Sequence, residues 1–186
     1  MAISNELRNF FIFTISIIVL SVGYYIYISF NYPPIAEHET FLSELGESIG
    51  EIGLWFIAFI YTRTVLKLIL GKGTLSKRIL PKYSPSIDAS LFQGVIHFLD
   101  RTHIYFGAGL IVIILLHVAL MGIPMHILFF PAVLLLVIWQ GVFGLFISWR
   151  RTSKQMKKFS YFVHAQLFSG IMIGVFSYLG HVFIDN

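Results

Sequence analysis

Four histidines stand inside two long apolar segments of the sequence, two in each segment. They are His103, His117, His164 and His181. An ionisable side chain is costly in the hydrocarbon core of a membrane, so histidines at such positions are candidate functional residues. A neutral imidazole offers a lone pair to a metal, and two imidazoles on opposite faces of a haem iron form an electron-transfer centre. The residue types therefore predict axial ligation of haem iron within a membrane.

The order of the segments predicts how these histidines pair. The two segments are the third and fifth apolar runs of the chain, so they would cross a membrane in the same direction. His103 and His164 lie near the first ends of their segments, whereas His117 and His181 lie near the last ends. We therefore predict a His103–His164 site and a His117–His181 site at different depths, with a single haem at one pair as the alternative.

Helical spacing aligns the two histidines of the third segment better than the two histidines of the fifth. His103 and His117 are 14 positions apart, which puts both rings on one helix face and about 21 Å apart along the axis. His164 and His181 are 17 positions apart, so their rings are about 100° out of register on a straight helix. A bend at a glycine would correct this difference. The glycines available for it are Gly170, Gly174 and Gly180.

The composition predicts an all-α integral membrane protein. Of the 186 residues, 57% are hydrophobic and 12% are charged, with a mean hydropathy of +0.82. A helix needs about 20 apolar residues to cross a hydrocarbon core, and the chain offers five such segments. The predicted spans are 9–30, 49–70, 103–122, 128–149 and 160–184. We expect one transmembrane domain over 1–186, a five-helix bundle with haem sites between spans three and five, and a first span that is retained in the protein.

The sequence contains no cysteine. This excludes, for this chain, thiolate ligation of an iron–sulfur cluster, covalent attachment of a c-type haem and disulfide bonds. A haem held here would therefore be bound without a covalent link to the chain, as a b-type haem is.

Positive charge falls on one side of the predicted topology. All 13 Lys and Arg residues lie on the side of the N-terminus. The opposite side carries Glu37, Glu39, Glu44, Glu47, Glu51 and Asp185. The positive-inside rule then places the N-terminus in the cytoplasm and the C-terminus outside. The basic loops suit contact with anionic lipid headgroups, or with an acidic electron-donating protein, and they lack the interleaved aromatic residues of a nucleic-acid groove.

Several further residues are candidates with an ordinary structural alternative. Arg63 and Arg101 are candidate partners of haem propionates, or anchors at the inner membrane face. Four glycines would let a flat macrocycle approach, or serve helix packing. They are Gly107, Gly109, Gly170 and Gly174. The acidic triplet Glu44, Glu47 and Glu51 suits proton exchange or attraction of a cation, or stabilisation of a helix N-terminus. We expect His38, His97 and His126 at or outside the membrane interfaces.

Two stretches of the chain resemble the second and third spans of the ferric reductase-like transmembrane family, which includes the membrane domains of ferric reductases and NADPH oxidases. The matching segments are GEIGLW at 50–55, RTVLK at 63–67, LDRTHIYFG at 99–107 and LH at 116–117. That family holds two b haems between its third and fifth spans, with two histidines on each span. The resemblance implies that His103, His117, His164 and His181 are axial ligands. The pattern is also similar to the cytochrome b subunits of respiratory oxidoreductases, which exchange electrons with quinones.

Together these features predict transmembrane electron transfer by a di-haem b-type cytochrome. Because the 186 residues hold no flavin- or nicotinamide-binding domain, we expect a separate redox protein at the inner or outer face, in a hetero-oligomer in which this chain is the electron-transfer component of an oxidoreductase. One alternative is a quinone-linked cytochrome b anchor of a respiratory dehydrogenase, with quinone as a second cofactor. Another is a non-haem transporter whose histidines line a proton or metal pathway.

Overall fold

The computed structural model describes residues 5–32, 40–80, 83 and 89–184. These residues form helices and no strand. The helices are α1 (Asn5–Asn31), α2 (Phe41–Ile69), α3 (Gly73–Ile79), α4 (Gln93–Met121), α5 (Phe129–Ser148), α6 (Lys154–His164) and α7 (Leu167–Ile184), with a 3₁₀ turn (Ala89–Phe92) before α4. Five of them, α1, α2, α4, α5 and α7, are long and apolar enough to cross a membrane. The prediction of an all-α, five-span membrane protein is confirmed.

The third span begins earlier than the sequence predicted. Helix α4 starts at Gln93 rather than at residue 103, and it therefore contains Asp100. That carboxylate accepts hydrogen bonds from Arg63 at 2.5 Å and from Lys67 at 2.6 and 2.8 Å, both on α2. Because two cations compensate the acidic charge, the helix can carry it at the membrane boundary.

The predicted fifth span, 160–184, is interrupted, and this part of the prediction was wrong. Helix α6 ends at His164, Ala165 and Gln166 are not helical, and α7 begins at Leu167. The Ser153 side chain caps α6 by accepting a hydrogen bond from the backbone N–H of Met156. This helix is amphipathic, and such a helix lies in a membrane interface rather than across it. Its lysines are Lys154, Lys157 and Lys158, and its exposed aromatic residues are Phe159, Tyr161 and Phe162.

Helices α2 and α4 run antiparallel and pack along most of their length. Small residues on α2 allow this approach, since Gly46 lies against Met121 and Gly53 against Ile113. Helix α5 packs on α6 and α7, and α1 packs on α7. In the part of the chain that the structure describes, α4 packs on α2 and α5 but not closely on α6 or α7. Helix α4, which carries His103 and His117, is therefore separated from α6 and α7, which carry His164 and His181.

The two ends of the bundle differ in charge. We call the end that carries Arg63, Lys67 and Arg101 the basic end, and the end at the start of α2, with Glu44 and Glu47, the acidic end. A buried cluster closes the acidic end between α1, α5 and α7. Its members are Ile28, Ile127, Phe129 and Phe183. The predicted loop residues Glu37, His38, Glu39 and Asp185 lie outside the described residues.

Candidate functional site

The fold brings the four histidines together in two pairs. The ring centroids of His103 and His164 are 5.9 Å apart, with 79° between the ring planes. The centroids of His117 and His181 are 6.1 Å apart, with 31° between the planes. This is the pairing that the depth of the residues in the sequence predicted. One pair lies towards the basic end of the bundle and the other towards the acidic end.

The interruption after α6 is what allows both His164 and His181 to face the histidines of α4. On one straight helix His164 and His181 would be about 100° out of register. The interruption falls at Ala165 and Gln166, before all three glycines at which the sequence predicted a bend, and α7 is helical through those glycines. The sequence therefore predicted the need for a correction but placed it at the wrong residues.

The spacing of the rings suits an iron between them. A metal–imidazole bond is about 2 Å long. Two imidazoles that bind one iron from opposite faces therefore have ring centres about 6 Å apart, when the distance from each nitrogen to its ring centre is added. The observed centroid distances are 5.9 and 6.1 Å. Both pairs thus have the spacing expected of two imidazoles that share one metal ion.

Three of the four rings donate a hydrogen bond from Nδ1 to a backbone carbonyl. The acceptors are Gly46 for His117 at 2.8 Å, Gln140 for His164 at 3.0 Å and Ser177 for His181 at 2.7 Å. A carbonyl oxygen only accepts, so Nδ1 carries the proton and Nε2 keeps its lone pair. Metal-ligating histidines are oriented in this way, because the second bond fixes the tautomer and raises the basicity of the ligating nitrogen.

The other ring, that of His103, differs. Its Nδ1 is buried and has no hydrogen-bond partner among the described residues. A buried polar atom without a partner costs about 1–3 kcal/mol. A hydrogen-bonding group brought to Nδ1 of this ring would therefore stabilise the site at the basic end.

The neutral form of His164 is favoured at its position at the end of α6. Burial lowers the pKa of this imidazole below its ordinary value, and this effect outweighs the hydrogen bond to the Gln140 carbonyl, which raises it. The positive charge of Arg63 lowers the pKa further. Since only the neutral ring can donate a lone pair to a metal, the environment favours the ligating form.

The four candidate glycines divide into two kinds. A Cβ atom on Gly109 would meet the ring of Phe56, and one on Gly170 would meet the ring of Tyr61, so these two glycines serve helix packing. At Gly107 and Gly174 a Cβ atom would meet no atom within 4 Å. Gly107 follows His103 by four residues and Gly174 precedes His181 by seven, so each lies on the histidine face of its helix. Open space beside the ligands is what a flat macrocycle requires.

The two candidate arginines lie at the basic end. Arg63 is paired with Asp100, and the charges of Arg63, Asp100 and Lys67 all act on the ring of His103. Arg101 is exposed. The two cations exceed the one carboxylate, so this environment favours an anionic group beside the His103–His164 pair. Contact of either arginine with a propionate stays a prediction.

A buried polar network, which was not predicted from the sequence, lies beside His164. The side-chain amide of Gln140 donates to the hydroxyl of Ser169, which is buried and donates to the carbonyl of Gln166 at 2.9 Å. The hydroxyl of Tyr61 also bonds to Ser169. This network connects α2, α5 and α7 at the interruption before α7. The signal in the sequence was Gln140, an amide within an otherwise apolar span.

The remaining candidates that the structure describes are at the surface of the chain. His97 and His126 are exposed, as are Glu44, Glu47 and Glu51. Over the ranges that the structure covers, no group of three or more metal-ligating side chains converges. Each histidine pair offers two imidazoles, which would suit a metal that brings other ligands with it, as haem iron does.

Two shallow apolar grooves lie along the described helices. One, of about 190 Å³, lies between α1, α5 and α7 and includes Tyr24 and Phe129. The other, of about 320 Å³, lies along α2 and includes Tyr61 and Thr62. Neither groove is lined by one of the four histidines. A quinone site stays a prediction.

No protein-family model, no curated protein and no solved structure matches this chain. The similarity to ferric reductase-like spans is therefore a hypothesis, and the case for a function depends on the geometry of the histidine pairs.

Proposed function

We propose that this protein is a b-type cytochrome that carries electrons across a membrane, with one haem between His103 and His164 and a second between His117 and His181. The observation that carries the proposal is the repeated pair of imidazoles at about the spacing of two axial ligands. Three of these rings also have the Nδ1 bond that leaves Nε2 free for a metal.

The chain's residues would hold each haem, orient its ligands and keep water away from it. Haem iron alternates between ferric and ferrous states, and its potential depends on the axial ligands, nearby hydrogen bonds and burial. The backbone carbonyls fix the ring orientation at three ligands. The excess positive charge of Arg63 and Lys67 over Asp100 favours the reduced state of a haem at the basic end, because an added electron is attracted to it.

The depth of the two pairs suits transfer across the bilayer. His103 and His117 are separated by about 21 Å along α4, whereas a hydrocarbon core is about 30 Å thick. One haem near each face would divide the crossing into two steps. With the basic end in the cytoplasm, as the positive-inside rule favours, the His103–His164 site would be the inner one.

Electron transfer through this chain would also need a partner protein. The basic end, with the lysines of α6, offers a surface for an acidic redox protein or for anionic headgroups. A separate redox protein, bound in a hetero-oligomer, would exchange electrons with this chain, and the direction of flow would follow from the two potentials.

The proposal is tested by haem content. The purified protein should show a Soret band and about two b haems per chain by the pyridine haemochrome assay. His117→Ala should reduce this to one, because the loss of a ligating imidazole costs more than the about 10–100-fold in affinity that the loss of an outer-shell partner costs, whereas His126→Ala should change nothing. A single haem in the unaltered protein would support the one-site alternative. A colourless protein, or a His117→Ala variant with full haem content, would contradict the proposal and favour the non-haem alternatives.

A further inference from the structure

Two of the four histidines are held by the same local arrangement on a neighbouring helix. On α2, the carbonyl of Gly46 accepts the Nδ1 proton of His117 at 2.8 Å. One helical turn later, at Gly50, a Cβ atom would lie 2.9 Å from Nδ1 and 3.0 Å from Cε1 of that ring. The ring therefore occupies the space that any other residue at position 50 would fill.

The arrangement recurs on α5. The carbonyl of Gln140 accepts the Nδ1 proton of His164 at 3.0 Å. At Gly144, again four residues after the acceptor, a Cβ atom would lie 3.1 Å from Cε1 and 3.5 Å from Nδ1 of the ring. In both cases the accepting helix is neither of the two helices that carry the histidine pair.

Helix geometry explains why the glycine stands four residues after the acceptor. In an α-helix the carbonyl of residue i already bonds to the N–H of residue i+4, and one lone pair remains. Side chains tilt towards the N-terminus, so the side chain of residue i+4 covers the turn that contains this carbonyl. Glycine at that position leaves the second lone pair open to a close approach by a ring from another helix.

We propose that Gly50 and Gly144 are positioning residues, each of which opens a helix carbonyl so that one histidine of each pair is held with Nδ1 protonated and Nε2 turned towards its partner ring. We call each arrangement a glycine notch. The notch itself depends only on this chain, whereas its role in holding haem rests on the proposed function.

The notches make the two histidines of a pair unequal. His181 bonds instead to Ser177, on its own helix, and Nδ1 of His103 has no partner within the described residues. Each pair thus combines one ring fixed by a third helix with one ring whose Nδ1 bonds to no other helix among the described residues. The third helix is α2 at one site and α5 at the other.

The first test needs no haem. In apoprotein labelled with ¹⁵N-histidine in detergent micelles, NMR should show His117 and His164 protonated at Nδ1, with assignments from His117→Ala and His164→Ala. Gly50→Ala should abolish this tautomer preference at His117 alone, and Gly144→Ala should weaken it at His164 alone. The effect should be larger for Gly50→Ala, because its Cβ atom approaches the ring more closely.

Matched controls lie on the same helices. At Gly53 on α2 a Cβ atom would meet only a methyl group of Ile113 at 3.3 Å, and at Gly141 on α5 it would meet only the side chain of Ile111. Gly53→Ala and Gly141→Ala should leave both tautomers unchanged. If His117 and His164 in the unaltered protein are protonated at Nε2, or if the control variants change the rings as much as the notch variants do, the notch proposal is overturned.

The second test measures haem. Titration of the apoprotein with haem should show an affinity about 10–100-fold lower at the site of the altered notch, with the other site and both control variants unaffected. Equal affinities in notch and control variants would refute a role in haem binding. If the unaltered protein binds no haem but shows both Nδ1 tautomers, the proposed function fails and the notch stands, so the two failures are distinguishable.

Discussion

The two histidine pairs differ most in their charged surroundings, which are found at the basic end. Asp100 precedes His103 by three residues, so both side chains lie on one face of α4. This carboxylate accepts hydrogen bonds from Arg63 and Lys67 and is the acidic member of that group. A single carboxylate therefore limits the positive charge next to one histidine pair and leaves the other pair, about 21 Å away along the helix, largely unaffected.

Asp100→Asn should raise the midpoint potential of the haem at the His103–His164 site. The substitution removes a negative charge and leaves two cations beside the site, so the ferrous state is favoured by roughly tens of millivolts. Redox titration followed by optical spectroscopy measures both haems, and the second potential should stay nearly constant. Asp100→Glu keeps the charge and is the control. Equal potentials in the Asn and Glu variants would show that this carboxylate does not act on the site.

At the scale of helices, the interruption between α6 and α7 determines the geometry of both pairs. It separates an interfacial helix that ends in His164 from a span that carries His181. The Gln140–Ser169 hydrogen bond joins α5 to α7 three residues into that span. Interhelical bonds of this kind contribute about 0.6 kcal/mol on average and up to about 1.7 in a membrane.

Gln140→Leu and Ser169→Ala should each lower the stability of the bundle without removing haem from His164. The backbone carbonyl of residue 140 holds the histidine, and it is present whatever the side chain. A double-mutant cycle on unfolding in detergent should give a coupling of about 0.6–1.7 kcal/mol between the two positions. Additive effects would mean that the bond does not stabilise the interruption. Loss of haem from Gln140→Leu would mean that the side chain, rather than the carbonyl, supports the ligand.

The five spans could be predicted from the sequence because the length of an apolar run determines whether it can cross a membrane. Runs of about 20 apolar residues are enough to predict five spans, and the depth of each histidine within its run predicts the pairs. The interruption at Ala165 and Gln166 carries no proline or glycine, so no local signal marks it. The carbonyl acceptors of the rings were equally hidden, because a backbone acceptor on another helix depends on packing and leaves no pattern in one sequence.

The whole molecule is a thin bundle. In the most apolar window of α4 only 6% of the residues are buried within the chain, against 28% for α7. Most of the apolar surface is therefore left for other groups to cover. Lipid suits the outward faces, and a haem would cover the facing sides of α4 and α7, which the described residues leave apart.

The orientation of the bundle in the membrane is also a prediction. It determines which histidine pair lies near the cytoplasm and which lies near the outside. In the five-span topology predicted from the sequence, all 13 Lys and Arg residues lie on one side, so the basic end should face the cytoplasm. The chain contains no cysteine, which makes single-cysteine labelling a direct measurement. Gln155→Cys, at the start of α6, and His126→Cys, between α4 and α5, both replace exposed residues.

In intact cells a membrane-impermeant maleimide should label the cysteine at position 126 and not the one at position 155, and both should react once the membrane is opened. This pattern would place the His103–His164 site at the cytoplasmic face, where a soluble electron donor could reach the lysines of α6. The reverse pattern would leave the helices and both histidine pairs as they are. It would place the basic end outside, and a redox partner at the outer face would then meet the haem whose potential Asp100 lowers.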